Sequence, residues 1–339
     1  MSDALLEARN LSVRFPVRAR GWGKKAYLTA VDDVSFTVKK GQTLAIVGES
    51  GSGKTTAALA IARLVAGETT GEVLLDGRDI VPLTGEQLKD MRRRVQVIFQ
   101  DPYSSLNPRA RVEDIVREPL DNLTDKPEAE KRQIVDQLFE AVGLRPEQKR
   151  LFPHQFSGGQ RQRIGIARAL STRPEVIICD EAVSALDVAV QAQILNLLRR
   201  LQKDFGLTYL FISHDLGVVQ HMCDSVAVMY MGKVVEHADR MDLFNNPLHP
   251  YTTALLSAVP SVDPTLRENA RRILIPGDPP DPFNLPKGCR FVSRCPVAQA
   301  GCHDAAPPLE DKGGPHRVAC HLVGAEAQSP LGVDAAARA

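Results

Sequence analysis

The chain has 339 residues, 43% of them hydrophobic and 24% charged, enough for one large domain and a smaller one and too apolar for disorder over most of the length. Lysine and arginine number 42 against 41 aspartate and glutamate, a formal charge of +1, and that balance argues against nucleic acid as the main partner, because binders of the phosphate backbone carry a basic excess. No run of 18 apolar residues occurs, and Asp3, Glu7 and Arg9 fall in the first ten residues, so neither a membrane span nor a secretory leader is expected.

Residues 31–38 alternate apolar and polar, as a half-buried strand does, and residues 43–47 form a short apolar run typical of a buried strand. The run ends in Gly48-Glu49-Ser50-Gly51-Ser52-Gly53-Lys54-Thr55, which matches G-x-x-x-x-G-K-S/T. A helix is predicted over 54–65, so the string lies between a strand and a helix, the context a phosphate cradle requires. Its glycines let the backbone wrap a phosphate, and the helix start adds partial positive charge. Lys54 is expected to reach the β- and γ-phosphates of ATP and Thr55 to place its hydroxyl on Mg2+, with Thr56 counted among the nucleotide-binding residues.

Residues 95–99 form a further buried-strand candidate. Residues 113–142 read as helical, with breaks expected at Pro119 and Pro127, inside a helical subdomain spanning about 104–172. Residues 176–179 are apolar and deliver Asp180 and Glu181 at the C-terminal end of a strand, where open α/β sheets bind ligands. Asp180 is expected to help hold Mg2+ through water, and Glu181 to act as general base on the attacking water. A helix over 188–201, with Arg199 and Arg200 near its end, and a buried strand over 209–212 follow. Strands alternating with helices predict an α/β fold with a largely parallel, covered sheet. Beyond about 248 come Pro260, Pro264, Pro276, Pro279, Pro280, Pro282 and Pro286 with little periodicity, then an Ala- and Gly-rich tail after 323 that is expected to fray.

Ser157-Gly158-Gly159-Gln160-Arg161 stands about 20 residues before the Asp180–Glu181 strand end, and its hydroxyl and amides at a helix start suit a phosphate. On these strings the chain resembles the ABC ATPase family from about residue 5 to 239. The resemblance implies a P-loop ABC ATPase, with a RecA-like mixed sheet core, a helical subdomain and a small irregular Cys-containing C-terminal domain. It implies a dimer in which Ser157, Gly158, Gly159 and Gln160 of one subunit cap ATP on the other's cradle. Gln100, after Ile98-Phe99, then senses Mg2+ and water and couples to the membrane subunit. Ser184-Ala185-Leu186-Asp187 joins the two sites, Asp187 doubling as a helix N-cap. His214 contacts the γ-phosphate, and an aromatic, Phe15 with Tyr27 as rival, stacks on adenine.

Phe99-Gln100-Asp101-Pro102-Tyr103-Ser104-Ser105-Leu106-Asn107-Pro108, Val190-Gln191-Ala192-Gln193 and Asn246-Pro247-Leu248-His249-Pro250-Tyr251-Thr252 narrow the resemblance. They are similar to the peptide/nickel importer group, in particular the F-type oligopeptide or dipeptide permease ATPase. That implies boundaries at 1–247 for the nucleotide-binding domain, 248–323 for the C-terminal domain and 324–339 for the tail. It also implies a related second ATPase, two transmembrane permease subunits, an extracytoplasmic solute-binding protein and a peripheral place on the cytoplasmic face of the inner membrane. Nickel chelates and glutathione stay open beside di- and oligopeptides as cargo. A soluble, non-transport ABC ATPase acting on DNA or ribosomes is the rival from another class. It is disfavoured because neither a second nucleotide domain, a long coiled coil nor a basic arm is present.

Six cysteines are present, and in a reducing compartment disulfides are not expected. Cys179 and Cys223 lie in or beside apolar strands and read as core residues. Cys289, Cys295, Cys302 and Cys320 follow C-x5-C-x6-C-x17-C, and four thiolates can close a zinc site or hold an iron–sulfur cluster. The importer ATPases carry a similar set, which resembles a 4Fe-4S site. Zinc2+ is the alternative, unligated thiols the third reading, and His303, His316 or His321 could replace a ligand. A structural role, fixing a segment too irregular to build its own core, is expected of such a cluster.

Overall fold

The computed structural model describes residues 4–18, 25–101, 103–259, 273–312, 315–324 and 328–331. The chain opens with a long antiparallel hairpin, β1 (Ala4–Arg18) and β2 (Lys25–Lys39). The alternation over 31–38 covers only part of β2. In β1, bulges between Ala8 and Arg14 reset the period, which hid that strand from pattern reading. β3 (Thr43–Val47), buried throughout, runs into the cradle and then α1 (Lys54–Ile61), one turn shorter than predicted.

β4 (Glu68–Leu75) and β5 (Arg78–Asp79) complete a four-stranded sheet of order β2-β1-β4-β5. After α2 (Gly85–Arg94) and β6 (Val95–Ile98), the chain enters a helical stretch: α3 (Val112–Leu123), α4 (Glu128–Ala141) and α5 (Gly158–Leu170). The expected break at Pro119 is absent: α3 runs through that proline. The buried stripe of Val112, Ile115, Val116 and Leu120 holds the helix on the core, and packing of that face overrides the lost backbone bond. The break before α4 does fall at Pro127.

β7 (Val176–Asp180), α6 (Val188–Phe205), β8 (Thr208–Ser213), α7 (Leu216–Met222), β9 (Ser225–Tyr230) and β10 (Lys233–Asp239) follow. α6 is a turn longer than predicted and stops at Gly206, whose φ of 66° ends the helix. β9-β3-β8-β7-β6 are parallel, and β10 lies antiparallel on β9. The large sheet is thus mixed around a parallel core of five strands, as the resemblance implies, and the β1–β2 hairpin belongs to a second, antiparallel sheet. Alternating residues of β8 serve two cores. Tyr209 and Phe211 join the helices α3 to α6, while Leu210 and Ile212 join α1 and the hairpin.

Beyond β10 come α8 (Arg240–Asn245), α9 (Pro250–Ser257), the short α10 (Gly301–Asp304), β11 (Glu310–Asp311) and β12 (Arg317–Val318). Pro276, Pro279, Pro280, Pro282 and Pro286 lie in irregular chain, whereas Pro102, Pro260, Pro264 and most of the expected tail fall outside the described residues. β12 pairs with β10 and β11 with β12, which together extend the large sheet to eight strands. Beneath it Glu236 is fully buried and accepts from the Leu248 amide (2.7 Å), the His249 amide (2.9 Å) and His316 Nε2 (2.7 Å).

His249 is 1% exposed, and its Nδ1 accepts the Tyr251 amide at 3.1 Å to cap α9. Burial lowers its pKa to about 4, against the opposing pull of the Glu236 carboxylate. The neutral ring belongs to the folded state, so its contribution is complete above pH 6.5 and fades as pH falls toward 4. Urea unfolding between those limits is expected to show a loss on the order of 3 kcal/mol from this residue. His249→Asn should flatten that part of the slope relative to the parent.

Candidate functional site

The cradle forms because its backbone needs conformations only glycine supplies without strain. Gly48 has φ 150°, and a Cβ there would lie 2.2 Å from the Met229 carbonyl oxygen. Gly53 has φ 99° and faces the Ala30 oxygen at 2.3 Å. Lys54 begins α1, is 4% exposed and donates from Nζ to the carbonyls of Gly48 and Glu49, both at 2.8 Å. Burial lowers its pKa, against the upward pull of Glu181, Asp180 and Glu49.

β7 brings two carboxylates to the same place. Asp180 accepts from Thr55 Oγ1 at 2.9 Å, and burial raises its pKa while that hydrogen bond and Lys54 lower it. Glu181 has φ 47°, a strained value for a side chain of its size. Its Oε2 accepts from Gln100 Nε2 at 2.7 Å, and its Oε1 lies 3.1 Å from His214 Nδ1. Thus β3, β6, β7 and β8, adjacent in the sheet, each contribute at their C-terminal ends. The open cleft between them measures about 470 Å3, is lined by Ser50, Gly51, Gly53, Lys54, Thr55, Thr56, Gln100, Glu181, His214 and Ala30, and is of ligand size. A hydroxyl, two carboxylates and an amide oxygen beside one buried ammonium form a hard, oxygen-rich donor set that suits Mg2+.

Ser157 caps α5: its hydroxyl accepts the Gln160 amide at 3.4 Å, and Gln160 Oε1 accepts the Ser157 amide at 3.0 Å. Gly159 packs on α6, where a Cβ would lie 2.5 Å from Val190 Cγ1. Ser157 is exposed, and neither it nor Gly158, Gly159 or Gln160 lines the cavity of its own chain. Asp187 caps α6, accepting the Val190 amide at 3.0 Å.

Residues 31–184 match the ABC transporter family, and residues 235–302 match the family described as oligopeptide/dipeptide transporter, C-terminal region. The chain is 49% identical over 322 residues to the oligopeptide transport ATP-binding protein AppF of Bacillus subtilis (strain 168), covering 94% of this chain and 98% of that one. It belongs to the ABC transporter ATP-binding family. Among solved structures, cbiO1 of Clostridium perfringens, part of the ABC transporter complex cbiONQ, superposes with TM-score 0.61 at 28% identity over 72% of this chain and 91% of that one. The ATP-binding cassette MJ0796, in a dimeric post-hydrolysis state with ADP and phosphate, gives TM-score 0.60 at 27% identity over 69% and 98%. The ABC fold is therefore that of this chain, and ATP with Mg2+ is its expected ligand pair.

Two expectations fare differently. Neither Phe15 nor Tyr27 lines the cavity of this ABC subunit. Phe15 is half-buried against the hairpin core, and Tyr27 is 41% exposed with its hydroxyl 3.5 Å from Glu68 Oε1. Ala30, three residues beyond Tyr27, does line the cavity and carries no sequence signal.

The metal site expected at Cys289, Cys295, Cys302 and Cys320 is not supported: among the described residues no group of three or more His, Cys, Asp or Glu is arranged to hold a metal ion. The four do line one cavity of about 10 Å3, no larger than a water probe needs, with His321 also on its wall. Burial pushes the Cys289 thiol up to about 11 and raises Cys295 and Cys320 as well. His316 is engaged with Glu236, and His303 is exposed. Cys179 and Cys223 are buried in the core, as expected.

Proposed function

We propose that the chain is the ATP-hydrolysing subunit of an importer of di- and oligopeptides. The observation that carries this is likeness to an oligopeptide transport ATP-binding protein along 94% of the chain, including a C-terminal region beyond the ATPase core. In this reading the Gly48–Thr55 amides and Lys54 bind the triphosphate. Thr55, Asp180 and Gln100 would hold Mg2+, which screens the β- and γ-phosphate charge when bound. Glu181, steadied by Gln100 and His214, takes the proton of the attacking water. The Ser157 loop is exposed and does not line its own chain's cleft, and it is suited to cap the nucleotide of a second, related ATPase. Unequal contacts to ATP and ADP then close and open the pair, and two permease subunits receive that motion through the Gln100 segment. In this reading the subunit sits peripherally, on the cytoplasmic face, with a solute-binding protein on the far side; among the described residues no helix is long and apolar enough to cross a membrane.

The test is reconstitution with the permeases, the partner ATPase and the binding protein in vesicles. ATP-dependent uptake of labelled peptides is expected, and uptake of nickel chelate or glutathione with none of peptide overturns the cargo reading.

The 4Fe-4S reading of the four cysteines rests on their spacing and their shared cavity, and it requires the sulfurs to move to ligand distance. Metal analysis of anaerobically purified full-length protein checks it. About four irons with matching sulfide per chain are expected; one zinc per chain replaces iron by zinc, and neither metal leaves packed thiols.

A further inference from the structure

The residue following Gly48 in the cradle is a glutamate, an awkward charge for a loop that must receive a triphosphate. Glu49 is also one of the groups acting on the Lys54 ammonium, and its carbonyl accepts from Lys54 Nζ at 2.8 Å. A bare carboxylate here would both repel phosphate and compete with it for the lysine.

It is not bare. Arg294 reaches it from 245 residues away, with Nη1 donating to Oε2 at 2.8 Å and Nη2 to Oε1 at 3.3 Å, a fork-to-fork pair. The guanidinium is 8% exposed and fixed on its other sides by the Tyr230 hydroxyl (3.3 Å) and the Pro276 carbonyl (3.4 Å). The Glu49 amide donates to the Tyr251 hydroxyl at 2.8 Å, and Tyr251, Tyr230 and Phe291 pack ring on ring, centroids 4.8 to 5.4 Å apart. The same segment makes a second attachment. Arg290 pairs with Asp32 and donates to the Met231 carbonyl, while the adjoining Gly232 amide donates to Ser52 of the cradle at 2.8 Å. Both arginines sit between Cys289 and Cys295.

We infer that Arg294 is a positioning residue for nucleotide, holding the Glu49 carboxylate away from the triphosphate and from Lys54, so that the four-cysteine segment sets the affinity of the cradle. This rests on the nucleotide reading of the cradle. Purified full-length parent and variants are titrated with a fluorescent ATP analogue and Mg2+. Arg294→Ala should weaken binding about tenfold or more, Arg294→Lys less, since it keeps the charge but not the fork. Glu49→Gln placed on Arg294→Ala should recover most of the loss, because it removes the carboxylate that had been left unpaired. A purely structural role for Arg294 predicts no such recovery. Parent-like binding by Arg294→Ala, or a double variant as weak as Arg294→Ala alone, overturns the inference. Should Arg294→Ala fail to fold, the comparison is made on Arg294→Lys with and without Glu49→Gln, and equal affinities there overturn it too. Failure of the parent itself to bind overturns the nucleotide reading, and this inference with it.

Discussion

Glu181→Gln is expected to bind ATP about as tightly as the parent and to hydrolyse it roughly a hundred- to ten-thousand-fold more slowly, the range associated with loss of a general base. The substitution is nearly isosteric. A glutamine oxygen can still accept from Gln100 Nε2, which meets Glu181 at 2.7 Å, and the backbone at φ 47° is unchanged. What is lost is the ability to take a proton from water, and with it the carboxylate that lies 3.1 Å from His214 Nδ1. Phosphate release should be measured in the assembled transporter with the corresponding glutamate of the partner ATPase also replaced, since an intact second site would mask the effect. Near-normal turnover in that assembly removes Glu181 from the role of base.

Gly48→Ala should have the largest combined effect on stability and binding. Its Cβ would meet the Met229 carbonyl oxygen at 2.2 Å and Ser52 Oγ at 2.9 Å, in a conformation, φ 150°, that side chains rarely adopt. Met229 belongs to β9, hydrogen-bonded between β3 and β10, so its carbonyl has little room to yield. A loss of about 3 kcal/mol or more in urea unfolding, with nucleotide binding abolished, is expected. Gly51→Ala is the comparison. Its φ is 79° but nothing lies within 4 Å of the added carbon, so only the backbone penalty of about 1–2 kcal/mol applies. Equal losses for the two variants would show that contact with β9 is not what restricts Gly48.

The strings that carry phosphate chemistry were legible because their spacing is local: Gly48 to Thr55 needs one loop, and Asp180 with Glu181 one strand end. Buried strands such as 43–47 and 176–179 also read directly, being short apolar runs. β1 and β4 did not, since bulges in one and glycine with exposed polar residues in the other erase a period of two. The position of Pro119 misled because its cost is local while the packing that outweighs it is not. Arg294 and Tyr251 were invisible as cradle residues for a related reason. Their partner Glu49 is more than 200 residues away, and a pairing at that separation leaves no spacing to find. Ala30 lines the cleft close to Tyr27 in sequence, and its side chain has no chemistry to announce it.

Glu236 under β10 bears on how this chain can be shortened. All three donors to Glu236 come from beyond residue 247, so a version trimmed to the ATPase core would lose every hydrogen bond that satisfies this carboxylate together with the segment that covers it. It would also strip β10 of its neighbour and bare a ladder of unmet amides and carbonyls, the kind of rim along which separate molecules zip together. The catalytic half has thus grown into its appendage: excised, it should precipitate.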